Sequence, residues 1–348
     1  MFTNLKAGIF ITLAVLFITF TFYGWQLAKT PNLQADKPEA FVLLIPDGST
    51  YESVLDTLKR NDVVNDFMSF RFMAKLLNYP ERVKAGRYVI KSNSGNLQVI
   101  TKLRNGLQDA VKLTFNNIRL KEDLIDRIGR KFAFGPVVLG QMLNDGAVCQ
   151  KYGLDTANIV SMFLPNTYEL FWNTKPEKLL DRMHDEYKKF WTSARLDKAK
   201  AIGLTPAQVS VMASIVDAET NQEDEMPRVA GVYLNRYNLP MPLQADPTVI
   251  FAWRDFDIKR VTERILAIQS PYNTYRNQGL PPGPINLPST VAIDAVLNAE
   301  QHDYLYFCVK LGDDGKFTGH HEFAVTYEDH QNNARLYQKR LNELKIQQ

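Results

Sequence analysis

The sequence predicts an α+β protein with an N-terminal transmembrane helix, a small strand–helix–helix–strand domain, and a larger, mainly helical domain with small β elements. Three observations predict it. No residue between Lys6 and Lys29 is charged; between residues 40 and 115 short apolar runs of strand type alternate with helical spacing; and from about Leu120 onward the apolar spacing is mostly helical. At 348 residues, 45% of them hydrophobic, the chain has material for roughly two domains with their own cores. Its 41 basic and 38 acidic residues, net +3, are mixed along the chain. No polybasic block of the kind that tracks nucleic-acid phosphate is present, so a nucleic-acid partner is not expected.

The run Ala7 to Trp25 is dense in Ile, Leu, Val and Phe. About ten of these residues each favour insertion by roughly 0.3–0.6 kcal/mol, and Tyr23 and Trp25 stand where interfacial aromatics anchor the far end of a span. A cleaved signal peptide has an apolar core of roughly 7–15 residues and small residues after it, whereas Gln26-Leu27-Ala28-Lys29 makes a poor cleavage site. An uncleaved single-pass anchor is expected. The lysine count does not orient it, but so short an N-terminal tail is most simply left in the cytoplasm with the remainder exported. Cys149 and Cys308 are far apart in sequence, free either to pair in an oxidising compartment or to stay buried thiols.

After a polar linker at 30–39 with Pro31, Asp36, Lys37 and Pro38, Phe41 to Ile45 reads as a buried strand closed by Pro46-Asp47-Gly48-Ser49. Ser49 or Thr50 can cap the helix that follows, whose Val54, Leu55 and Leu58 share one face. A second helix from Phe67 to Leu77 ends near Asn78-Tyr79-Pro80, and Gly86 to Ile90 reads as the returning strand. A helix from Asn96 to Arg104 stops at Asn105-Gly106, and Ala110 to Phe115 is a further strand. Helices then dominate to Lys200, including the amphipathic Pro176 to Trp191, with a loop expected at Phe163 to Glu169 because of Pro165 and Asn166. Pro206-Ala207-Gln208 opens the helix that carries Glu219, and a neighbour runs from Pro227 to Tyr237. Beyond Gln244 the chain becomes turn-rich, which suits a shaped loop wall. The end returns to a helix at Thr290 to Leu297, a strand at Tyr304 to Val309 and an amphipathic helix from Tyr327.

The segment Ala213-Ser214-Ile215-Val216-Asp217-Ala218-Glu219-Thr220 threads Glu219 through an apolar helix. Burial raises a carboxyl's pKa and so lets it hold a proton near neutral pH, as a general acid must. The plain alternative is a surface helix with its acids in water. Residues two apart on a helix point about 200° from each other, so Asp217 and Glu219 cannot serve one small site together. A two-carboxylate glycosidase is therefore not evident from this helix, although Asp246 can be brought in from elsewhere.

The ordered blocks Ala213-Ser214-Ile215-Val216-x-x-Glu219-Thr220, Asn235-Arg236, Gln244-x-Asp246-Pro247-Thr248-Val249-Ile250, Tyr272-Asn273-Thr274-Tyr275 and Gly279-Leu280-Pro281-Pro282-Gly283-Pro284-Ile285 closely resemble the endolytic murein transglycosylase family, YceG-like or MltG-like. Phe163 to Tyr168, Tyr306-Phe307, Phe323 and His330 match as well. The resemblance covers nearly all of the chain beyond the anchor. It implies an anchor with a cytoplasmic tip at 1–29, a linker at 30–39, a LysM-like domain at 40–115 and a catalytic domain at 116–348. It further implies endolytic cleavage of the MurNAc-β-1,4-GlcNAc bond of nascent glycan strands, with 1,6-anhydroMurNAc formation, on the outer side of the cytoplasmic membrane and in partnership with peptidoglycan synthases of the elongation or division machinery.

In that family the catalytic residue is the second acid of a Glu-x-Glu motif, which is Glu219 here, with the shorter Asp217 in the first acid's place. Asn235, Gln244 and Asn273 can bond sugar amides and hydroxyls, or equally satisfy backbone groups. Asp246 orients the site or merely starts a turn, and Tyr272 and Tyr275 stack on sugars or pack the wall. His320-His321-Glu322 with His330 matches no common zinc spacing, so neither a metal nor a cofactor is expected. Leu287-Pro288-Ser289 stands where the family tends to have Asn-Pro-Gly, Phe251 replaces a usual tyrosine, and Asn116-Asn117-Ile118 lacks the usual acidic-glycine turn. A hydrolytic muramidase and a non-catalytic peptidoglycan-binding scaffold remain alternatives.

Overall fold

The computed structural model describes residues 2–34, 37–116, 118–258, 260–312 and 316–343; Asp36 of the expected linker and Asn117 of the Asn116-Asn117-Ile118 segment lie outside them. The chain forms two compact units: Met1–Leu113 with Lys131–Phe134 and Glu169–Thr174, and Thr114–Arg130 with Gly135–Tyr168 and Lys175–Gln348. The fold is mixed α and β, with every sheet among the described residues only two strands wide.

In the first unit, helix α1 (Phe2–Lys29) contains a span, Lys6–Lys29, long and apolar enough to cross a membrane. Strand β1 (Pro31–Leu33) follows at once. The polar residues around it suggest a plain linker, but Leu33 is fully buried and joins the core of this unit. Strands β2 (Phe41–Ile45) and β3 (Gly86–Ile90) pair antiparallel, Leu43 opposite Tyr88. The two-residue period turns Leu43 and Ile45 inward and leaves Val42 and Leu44 outside. Between them lie α2 (Tyr51–Arg60), capped by the Thr50 hydroxyl, and α3 (Phe67–Leu76), capped by Asp66. The Asp66 carboxylate accepts from the amides of Met68 and Ser69, and these bonds hold its pKa below the usual value. Strand β4 (Ser94–Gly95) pairs with β1, and α4 (Asn96–Asn105) ends on Gly106 at φ 71°, the left-handed terminus that glycine adopts without strain. A buried polar knot ties the pieces: Asn32 Nδ2 donates to Asn96 Oδ1 (2.8 Å) and Ser69 Oγ (3.2 Å), and Asn96 Nδ2 donates to the Leu27 carbonyl (3.0 Å). The last turn of α1 is thereby bonded to α4 and, through Ser69, to α3.

Strand β5 (Val111–Phe115) pairs with β6 (Asn166–Leu170), where Pro165 and Asn166 predict a loop. Pro165 lies just outside the strand, so its missing N–H costs the ladder nothing. Tyr168 stacks on Phe115 at 5.4 Å and buries its ring, which favours the extended form.

The second unit continues with α5 (Lys121–Gly129), α6 (Gly135–Leu143), α7 (Gly146–Gln150), α8 (Pro176–Phe190) and α9 (Ser193–Ala201). Its centre is α10 (Pro206–Glu219), flanked by α11 (Met226–Asn238) and α14 (Thr290–Leu297); α12 (Asp246–Trp253) and α13 (Glu263–Leu266) lie between them in sequence. A capping box starts α10, the Thr205 hydroxyl accepting from the Gln208 amide while the Gln208 side chain accepts from the Thr205 amide. Every residue from Val209 to Val216 is buried, so the helix is enclosed on all sides. Strands β7 (Tyr306–Leu311) and β8 (Phe317–Ala324) pair antiparallel, and α15 (Tyr327–Glu343) closes the described chain. Both cysteines are free thiols. Burial pushes Cys308 up to about 11 and raises Cys149.

A Cβ added at Gly129 would lie 2.3 Å from Pro136 Cα, so α5 and the start of α6 approach through backbone alone. Gly129→Ala should cost about 1–3 kcal/mol, read as a lower denaturant midpoint. Gly146→Ala, at a helical position with nothing within 4 Å, should leave stability unchanged or raise it by up to about 1 kcal/mol.

Candidate active site

Glu219 is the last helical residue of α10, followed by Thr220 in extended conformation. It lines a cleft of about 410 Å³ together with Tyr233, Arg236, Gln244, Asp246, Tyr275 and His321. Tyr233 projects from α11 and donates its hydroxyl proton to Glu219 Oε1 at 2.5 Å. Oε2 has no protein partner among the described residues. Part of the Glu219 side chain opens to the cleft, yet the protein around the carboxyl is dense. Burial pushes its pKa up to about 8; the Tyr233 hydrogen bond and, more weakly, Arg236 oppose the shift, and the Asp246 charge adds to it. The negative end of the α10 dipole acts in the same direction as burial. Tyr233 is itself buried and edge-on to Phe307 at 5.8 Å, and burial and the Glu219 charge raise its pKa well above the usual value, so it remains a donor.

One turn beyond Tyr233 on α11, Arg236 is nearly enclosed. Its guanidinium donates to the carbonyls of Leu305 (2.5 Å) and Leu243 (2.7 Å) and to Gln244 Oε1 (3.3 Å), and it lies over the Tyr306 ring at 5.0 Å. These bonds fix a cation near Glu219. Gln244 has φ 52°, an uncommon conformation for a side-chain-bearing residue, held by its amide's bond to the Thr274 carbonyl. Thr248 and Thr274 bond each other at 2.8 Å and both reach Ala245, which pins the start of α12 to the loop at 272–275. Asp246 is thus the first residue of a helix, where the Asp-Pro pair suggests a turn. Proline suits the first turn of a helix because its missing N–H would have no partner there. Tyr275 donates to Asp246 Oδ1 at 2.5 Å, and burial holds the Asp246 carboxyl above its usual range despite that bond.

Of the eight residues singled out from sequence, the structure brings Glu219, Gln244, Asp246 and Tyr275 to this cleft. The other four lie elsewhere. Asp217 accepts from the Ser289 hydroxyl at 2.6 Å, and Ser289 caps α14, so this acid anchors a neighbouring helix; burial raises its pKa and the Ser289 bonds oppose that. Asn235 donates to the carbonyls of His302 (2.7 Å) and Tyr304 (3.0 Å). Asn273, fully buried, donates to the Leu266 and Ile268 carbonyls and accepts from the Tyr275 amide. Tyr272 packs on Phe251 at 4.8 Å and lines a separate cavity of about 140 Å³ with Arg254 and Asn286.

Sequence reasoning gave no site role to Tyr233, Arg236 or the pair Glu225–His321. Glu225, 3% exposed, accepts from the His321 amide at Oε1 (2.7 Å), while its Oε2 faces His321 Nδ1 (2.8 Å) and accepts from the Thr220 hydroxyl at 3.4 Å. The carboxylate fixes Nδ1 as the donor and leaves Nε2 without a protein partner among the described residues. No spacing rule links Glu225 to His321, 96 residues on, but acids so close to a buried helix end are a signal worth reading.

A carboxyl kept protonated by burial, held by a tyrosine through one oxygen and open through the other, is equipped to deliver a proton to a ligand in the cleft. The chain belongs to the YceG-like family, whose model matches residues 43–336. An endolytic murein transglycosylase of Streptococcus pneumoniae is 25% identical over 345 residues, covering 90% of this chain and 61% of that protein, so the chain spans about three-fifths of that relative's length. The Bacillus subtilis protein of the same name is 25% identical over 312 residues, covering 85% of each. A crystal structure of a YceG-like protein from Listeria monocytogenes superposes with a TM-score of 0.54 at 26% identity, covering 84% of this chain and 98% of that one.

A carboxyl raised from 4.5 to about 8 binds its proton in the folded state before the unfolded one does, so it lowers stability as pH rises through that window. Glu219→Gln should therefore leave Tm nearly unchanged below pH 4.5 and raise it above pH 8, by on the order of a few kcal/mol in stability. A Tm difference independent of pH would contradict the assignment of a buried, protonated Glu219.

Proposed function

We propose that this chain is a membrane-anchored endolytic lytic transglycosylase of peptidoglycan, with Glu219 as its acid and then its base. The observation that carries the reading is the Glu219 carboxyl, raised to about 8 by burial in a cleft and hydrogen-bonded, among the described residues, through Oε1 alone. Family membership and the names of the relatives support it.

In the proposed reaction the protonated carboxyl gives its proton to the glycosidic oxygen as the bond from muramic C1 breaks. The carboxylate so formed accepts the proton of the muramic C6 hydroxyl as that oxygen closes on C1. The proton count balances, Glu219 returns to its starting form, and no water enters. Tyr233 steadies the carboxylate between the two transfers, and Arg236 adds a fixed positive charge. Gln244, Asp246 and Tyr275 form the wall that meets the sugars. Asp217, Asn235, Asn273 and Tyr272 act through the scaffold: each holds backbone or packs away from Glu219.

The remaining parts of the reading follow the same family likeness. The β2–α2–α3–β3 unit is LysM-like, α1 is a single-pass anchor in the cytoplasmic membrane with the N-terminus inside, and the exported domain meets nascent glycan strands beside peptidoglycan synthases. One observation favours a second reading. Asp246 shares the cleft with Glu219 and carries the second carboxylate that a hydrolytic muramidase needs.

Product mass decides between them. Sacculi digested with the full chain should release fragments with anhydro ends, one water lighter than hydrolytic products, and Glu219→Gln should release none. Reducing ends without anhydro product would establish the muramidase; intact sacculi would leave a binding scaffold. The rate should fall as pH rises through about 8, because the first step needs Glu219 protonated. Tyr233→Phe removes the donor to Oε1, raises the Glu219 pKa further and should shift that alkaline limb to higher pH while lowering the maximal rate.

A further inference from the structure

Helix α3 presents an exposed apolar stripe: Met68 is 83% exposed, Phe72 56% and Leu76 68%, spaced four residues apart. Its opposite face, Phe70, Met73 and Ala74, lies in the core of the first unit. The exposed face also carries Arg71 and Lys75. A helix with one face in the domain core and a basic, apolar outer face has the composition of one that lies in a membrane interface.

The position of α3 along α1 supplies the occupant. Its start, the cap Asp66 and Ser69, shares a hollow with Tyr23, Gln26 and Leu27 of α1 and with Thr30 just past it. Tyr23 and Gln26 fall inside the span Lys6–Lys29, so the start of α3 stands level with the place where α1 leaves the apolar layer. The Asn32–Asn96–Ser69 knot makes this placement rigid. At about 100° per residue, Leu76, Phe72 and Met68 follow Ser69 round the helix in that order, with Lys75 and Arg71 next. The apolar stripe is therefore on the flank nearest the anchor and the cations on the flank beyond it. Aliphatic stems can then rest on the acyl boundary while their charges reach the headgroups.

We propose that α3 is a second membrane contact: Met68, Phe72 and Leu76 insert at the headgroup boundary of an anionic bilayer, and Arg71 and Lys75 pair with lipid phosphates. The first unit then lies against the membrane instead of swinging from α1. The inference rests on α1 being a membrane anchor, and the test separates the two.

Full-length protein is placed in vesicles of phosphatidylcholine and phosphatidylglycerol, with an environment-sensitive fluorophore on Phe72→Cys, Phe17→Cys or Glu52→Cys, and with Cys149 and Cys308 replaced by alanine. Phe72 and Glu52 are both exposed, so labelling leaves the core intact. The Phe72 label should be quenched by nitroxides on lipid chains at a depth of roughly 5–10 Å and shielded from aqueous iodide, whereas the Glu52 label should show the reverse. Adding Arg71→Glu and Lys75→Glu should return the Phe72 label toward water. A Phe72 label as open to iodide as that at Glu52, with the Phe17 label still quenched from within the lipid, overturns the contact while the anchor stands. A Phe17 label in water overturns both.

Discussion

The burial of α10 on all sides is the constraint on which the candidate site depends. A helix with no wet face must be enclosed by neighbours, and α11 and α14 supply them. Their positions then follow from packing, and packing sets what stands round the end of α10. Tyr233 and Arg236 are one turn apart on α11, so the face that covers α10 also brings a phenol and a guanidinium to Glu219. Ser289 caps α14 and binds Asp217, which ties the third helix to the first. Gly231 belongs to the same economy of space: a Cβ there would meet the Glu300 carbonyl at 2.5 Å. The packing that encloses α10 is also what assembles the cleft around Glu219.

The electrostatics of the cleft are opposed at every step. Burial favours the neutral carboxyl of Glu219, and Asp246 pushes the same way, while Tyr233 and Arg236 favour the carboxylate. A site with burial alone would hold its proton too tightly to release it; a site with a direct salt bridge would not hold it at neutral pH. Arg236 makes no such bridge: its Nε and Nη1 donate instead to the Leu305 and Leu243 carbonyls and to Gln244. Its charge is felt by Glu219 without being bonded to it. Glu225 is the contrasting case: its carboxylate is more deeply enclosed than most, but the amide and ring of His321 and the Thr220 hydroxyl satisfy it.

Much of this fold was legible in the sequence where local rules act alone. The Thr50 cap, the Gly106 terminus, the Pro206 start of α10 and the Thr290–Leu297 helix depend on neighbours a few residues away, and each stands where the pattern places it. Local rules failed where a distant partner decides. The chain at Phe163 to Glu169 reads as a loop because of Pro165 and Asn166, and the mate that makes part of it a strand, β5, lies some fifty residues earlier. Asp246-Pro247 reads as a turn because the threonine pair that pins it to the 272–275 loop is invisible without the fold. Glu219 could be found because its apolar surroundings are local. Tyr233 could not, since an aromatic in a core helix has no mark to distinguish a hydrogen-bond donor from packing.

The same reasoning explains why Asp217 and Glu219, two residues apart, have separate fates. Opposite sides of one enclosed helix face different neighbours, so one carboxyl meets the α14 cap and the other meets the cleft. Asp217 spends its lone pairs on Ser289, whose hydroxyl both donates to it and accepts from the Ala292 amide. The bond between Asp217 and Ser289 joins α10 to the cap of α14. Such a pair keeps the α10–α14 contact intact without touching Glu219, because the bond it forms lies on the far side of the helix from the cleft.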